Sequence, residues 1–106
     1  MINEIKDSSF KMMVNETVKQ LKNRNLTVAG GLINEMASIS MNAPEPHNLY
    51  GILSEMRGDI SNAKKHYRAA SALDPAYKPA IRNLERLVMF DFDLEQRGYD
   101  YGEVYE

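Results

Sequence analysis

Residues 47–75 read HNLYGILSEMRGDISNAKKHYRAASALDP, and their spacing decides the fold. Leu49, Tyr50, Leu53 and Met56 recur at the period of one helical face. Gly58-Asp59 interrupts the pattern, and Ala63, Tyr67, Ala70 and Leu73 resume it until Asp74-Pro75 stops it. Ser61 reads as the N-cap of the second of these helices. Pro44 and Pro46 fit the first turn of the helix before it, which starts near Glu45, because a missing N–H costs nothing there.

The same period extends both ways. Upstream, Phe10, Val14, Val18 and Leu21 share a helical face, with Ser8 and Ser9 as candidate caps. After Asn23-Arg24-Asn25, a second helix is expected from about Thr27 to Ser40, with Val28, Leu32, Ile33, Met36 and Ile39 as its apolar stripe. Downstream, Lys78-Pro79 opens a fifth helix with Ile81, Leu84, Leu87 and Val88 inward, running to about Gln96 before Gly98. Nothing alternates with period two for long enough to make a strand. The expectation is an all-α chain of five helices with short connections.

The chain also resembles itself. At an offset of 34, Asn25-Leu26-Thr27-Val28-Ala29 falls on Asp59-Ile60-Ser61-Asn62-Ala63, Ile33 on Tyr67 and Ile39 on Leu73. His47, Tyr50, Gly51, Gly58, Asp59, Ala63, Tyr67, Ala70, Leu73, Asp74 and Pro75 stand at the spacing of the tetratricopeptide consensus, and the chain resembles that family over about 10–97. The resemblance implies a superhelix of two helix–turn–helix repeats, about 10–43 and 44–77. A capping helix at about 78–97 and an acidic aromatic tail at 98–106 would follow. Gly51 and Ala63 would be small where the helices of one repeat cross, and Tyr67 would fill the space between. The first repeat departs from the pattern at Thr17 and Met36, and the third at Glu85.

The resemblance further implies a concave groove lined by the first helices of successive repeats. Asn15, Lys19 and Lys22 would line it from the first helix; Asn48, Ile52, Glu55 and Met56 from the third; Lys78, Arg82, Arg86 and Met89 from the fifth. Such a groove is basic with apolar spots and suits an acidic or amphipathic peptide. Lys78 and Arg82 have the spacing of part of the family's carboxylate clamp, but Asn15 and Lys19 stand in the wrong order for it.

Composition narrows the function. The chain has 106 residues, 43% of them hydrophobic and 26% charged, with net charge −2 and neither Cys nor Trp. That length allows one modest core. The absent cysteines remove disulfides, thiolate zinc sites and a Cys nucleophile. The charge argues against a nucleic-acid binder driven by bulk electrostatics, and Lys64-Lys65-His66-Tyr67-Arg68 reads as a solvated face. Glu4, Lys6 and Asp7 break any secretory h-region, and no apolar run is long enough to span a bilayer. A cytoplasmic protein without membrane insertion is expected.

Chemistry has few candidates. His47 and His66 lack a metal-helix pairing, and Gly30-Gly31 lacks the rest of a phosphate loop. Gly30-Gly31 reads as a frayed helix start or a close backbone approach. Met12, Met13, Met36, Met41, Met56 and Met89 read as gap-filling core or as an adaptable surface. No catalytic residue, metal site or cofactor is expected, and the chain is not read as an enzyme.

Asp91, Asp93, Glu95, Asp100, Glu103 and Glu106 face a single base, Arg97, in residues 90–106, which also hold Phe90, Phe92, Tyr99, Tyr101 and Tyr105. This acidic, aromatic stretch matches what the groove should accept, in its own chain or a neighbour's. The expected function is a protein-interaction module, an adaptor or assembly factor. The alternative is a self-associating structural subunit whose tail docks in a neighbouring groove.

Overall fold

In the computed structural model the chain is described over residues 2–40, 42–89 and 98–103, with side chains from Ser9 onward and that of Met89 excepted. It is all-helical over the elements described: α1 (Ile2–Lys22), α2 (Leu26–Ile39), α3 (Pro44–Met56), α4 (Ile60–Leu73) and α5 (Lys78–Met89). The expected continuation of α5 to Gln96 lies outside the described residues.

The 34-residue offset recurs in the backbone. The bounds of α2 and α4 correspond residue for residue, as do the ends of α1 and α3 and the starts of α3 and α5. The turns are built alike. Asn25 N–H donates to Gln20 C=O, as Asp59 N–H donates to Ser54 C=O 34 residues on. Arg24 and Gly58 hold the left-handed conformation there, with φ of 61° and 82°. At the other ends, Ser40 N–H donates to Met36 C=O and Asp74 N–H to Ala70 C=O, both caps being extended.

Each helix packs on the next, and α3 also touches both α1 and α5. The burial pattern follows from this. α1 buries Val14, Thr17, Val18 and Leu21, and α4 buries Ala63, Tyr67 and Ala70, each on one stripe. α3, surrounded by its neighbours, buries Pro46, Asn48, Leu49 and the run from Gly51 to Ser54. Gly51 is required: a Cβ there would overlap the Tyr67 ring.

Several expectations need correction. Ser8 and Ser9 lie inside α1, which begins a turn and a half earlier, so neither caps it. The cap of α4 is Asp59, whose Oδ1 accepts from Asn62 N–H, and Ser61 is already helical. Val28, Ile39, Leu73 and Val88 are exposed, because their stripes are narrower than the apolar pattern suggests. Gly30 and Gly31 sit within α2, not at a frayed start, and nothing lies within 4 Å of a Cβ on Gly31. Met36 is buried, Met13 and Met56 pack partly buried against the core, and Met12 is exposed; Met41 lies outside the described residues.

Candidate functional site

α3 and α5 each carry an asparagine at a position that is almost wholly buried. Asn48 and Asn83 meet there, Asn83 Nδ2 donating to Asn48 Oδ1 at 2.9 Å. Across them runs segment 98–103 of the same chain, which is neither helix nor strand. Asn83 Oδ1 accepts from Asp100 N–H at 2.8 Å, and Asn83 Nδ2 donates to Asp100 C=O at 2.8 Å. Asn48 Nδ2 donates to the same carbonyl at 3.0 Å. One donor and one acceptor on the Asp100 main chain fix how the Asn83 amide must point.

The side chains of the segment are read separately. The Asp100 carboxylate accepts from Arg82 Nη1 at 3.0 Å and, through its other oxygen, from Gly102 N–H at 3.1 Å. Lys22 at the end of α1 pairs with Glu103 at 3.2 Å and lies over the Tyr101 ring. Burial raises the pKa of the Tyr101 hydroxyl despite the nearby Lys22 and Arg24 charges. Tyr99 covers the Arg86 guanidinium, with the ring centre 5.0 Å from its carbon. Gly98 and Gly102 have φ of 72° and 66°, and a Cβ on Gly102 would run into the Tyr77 hydroxyl.

Beneath Tyr99 lies a buried ion pair. Arg86 donates to both Glu55 oxygens, at 2.9 and 2.5 Å, and both side chains are 4% exposed. Tyr67 donates its hydroxyl to Glu55 Oε2 at 2.5 Å. Burial opposes the Arg86 charge, and the Glu55 carboxylate outweighs it, holding the guanidinium above its ordinary pKa. Burial, reinforced by Glu55, pushes the Tyr67 hydroxyl far upward, so it stays a donor.

Of the residues expected to line a groove, Lys22, Asn48, Arg82 and Arg86 contact the segment, and Glu55 reaches it through Arg86. Asn15, Lys19 and Lys78 stand exposed on their helices. Ile52 is wholly inside the core and Met56 is half-buried against it, so neither is a free apolar anchor. The side chain of Met89 lies outside the described residues. The residue that sequence reasoning missed is Asn83. Its signal was positional: in the 34-residue register Asn83 and Arg86 occupy the places that α3 fills with Leu49 and Ile52, two fully buried core residues.

Elsewhere, His47 and His66 meet with their Nδ1 atoms 3.2 Å apart, one donating and the other accepting, and His66 stacks on Tyr50. Burial lowers the pKa of both rings. Among the described residues no group of three or more His, Asp or Glu is placed to hold a metal, and no helix is long and apolar enough to cross a membrane. Compared with known proteins, the chain matches no family model, no curated protein and no solved structure.

Proposed function

We propose that the chain is a non-catalytic protein-interaction module of the tetratricopeptide type, in which α1, α3 and α5 form a face that holds an acidic, non-helical segment. The carrying observation is the grip of Asn83 on both main-chain polar groups of Asp100, flanked by Arg82 and Lys22 on acidic side chains. Pairing the main chain of an extended segment with fixed side-chain amides is a means of binding peptides of many sequences, and the flanking cations then select for acid. The matching turns 34 residues apart, together with α3 touching both α1 and α5, support the superhelical reading.

On this reading the chain is an adaptor or assembly factor of the cytoplasm, needing no cofactor and no nucleic acid. A panel of fluorescent acidic peptides titrated against the chain at two salt concentrations tests it. Saturable binding that weakens with salt and is lost in Asn83→Ala is the expected result; binding indifferent to Asn83 would count against the face. The self-associating alternative is favoured by one feature, that every copy carries the segment seen here. Sedimentation equilibrium of the full chain decides it: a mass that grows with concentration is its signature.

A further inference from the structure

The segment 98–103 does more than fill space, since each of its residues from Tyr99 to Glu103 has a distinct contact. Tyr99 covers Arg86, Asp100 pairs with Arg82, Tyr101 lies under Lys22, Gly102 fits against Tyr77 and Glu103 reaches Lys22. We infer that this segment is a built-in competitor. On the function proposed above, the outside ligand of the face is a segment of another protein carrying the order aromatic–Asp–aromatic–Gly–acid. The chain's own copy must be displaced before that ligand can bind.

Three observations carry this. First, the fit depends on order as well as charge. Only a residue without a Cβ fits against Tyr77 with φ positive, and it must come two residues after the one gripped by Asn83. Second, the flanking charges add little to the hold. Arg82 is 64% exposed and Lys22 50% exposed on their side chains, so these ion pairs are screened and individually weak. Third, a tethered segment acts at an effective concentration of order 1 mM. A second copy's tail at micromolar concentration loses to the chain's own, whereas a partner with further contacts beside the shared five residues does not.

The test uses the full-length chain and a fluorescent peptide copying residues 98–106, with a scrambled peptide of the same composition. Gly102→Ala changes only the segment, not the face, and should release it; circular dichroism checks that helix content is kept. The Gly102→Ala chain is expected to bind the copied peptide at least ~10-fold more tightly than the native chain does, and the scrambled peptide at least ~10-fold more weakly than the copy. A second variant guards the result: adding Arg82→Glu, at an exposed position, should weaken the copied peptide, and a peptide with Asp100→Arg should regain affinity.

Equal binding by the native and Gly102→Ala chains would overturn the competitor, with the binding face intact. Equal binding of copied and scrambled peptides would overturn the order and leave a face that reads charge alone. If the folded, released chain binds neither these peptides nor any other acidic peptide, the proposed function itself falls.

Discussion

Asn83 holds the N–H and the C=O of Asp100 at once, both at 2.8 Å, from a helix seventeen residues earlier in the chain. A side-chain amide here performs the pairing that a neighbouring strand would give. Asn83→Ala removes both bonds and leaves Asn48 Oδ1 without its donor. The amide of Asp100 should then exchange with solvent at close to the rate of an unfolded peptide, while the amides of α3 stay protected. Hydrogen exchange read by mass spectrometry or NMR measures it, and the stability lost with the segment should be about 1–3 kcal/mol.

Gly51 lies too close to the Tyr67 ring to carry a Cβ. Gly51→Ala puts a methyl group into the tyrosine ring and should cost several kcal/mol, at or above the usual ~1–3 kcal/mol of overpacking, because the ring is pinned by Glu55. Gly31→Ala is the control: it meets open space in α2 and should stabilise by about 0.5–1 kcal/mol through helix propensity. Thermal melts of the two variants should move in opposite directions.

Arg24 and Gly58 occupy equivalent turns with the same left-handed backbone, yet only one is glycine. A side chain in that conformation costs roughly 1–2 kcal/mol. Arg24→Gly should therefore raise the denaturant midpoint, by less than that full amount because glycine also loosens the unfolded chain.

Glu55→Gln breaks the buried pair with Arg86 and weakens the acceptor for Tyr67. An uncompensated guanidinium 4% exposed should cost about 3–5 kcal/mol. Replacing both partners together, Glu55→Leu with Arg86→Leu, should cost less than Glu55→Gln alone. Urea unfolding of the single and double variants gives the comparison.

His47 and His66 predict a pH dependence. Burial lowers both pKa values in the folded chain, below the ordinary 6.5. Their favourable state is neutral, so stability is fully present above about pH 6.5 and falls as pH drops toward the folded values, where the unfolded chain takes up protons first. Burial raises the pKa of Glu45, which has the opposite sign: its contribution is full below the ordinary 4.5 and is lost as pH rises through the raised folded value. His66→Gln should flatten the loss of stability between pH 7 and 5.5, about the range in which an ordinary histidine titrates.

The helices were legible because apolar periodicity and the 34-residue offset are local signals. Their ends were less so. Ser61 and Asp59 are both good caps by type, and only the bond from Asn62 N–H to Asp59 picks between them. Val28 and Val88 match the period of a buried stripe but face solvent, since a period says which residues share a face and not how wide a face the neighbours cover. The acidic tail was recognisable as a match for a basic face. The buried asparagines were not, because a polar residue at a core register position announces its role only when its partner, here a main chain 52 residues from Asn48, is folded against it.

The pair of asparagines has one more consequence. When 98–103 departs, the amides of Asn48 and Asn83 meet water, which can donate and accept in the same places, and the two side chains still hold each other. At the asparagines departure is thus an exchange of one set of polar partners for another, while the core surface under Tyr99 and Tyr101 is uncovered. The polar part of the face is therefore ready for a new main chain, and the uncovered apolar part is what a new aromatic pair would cover.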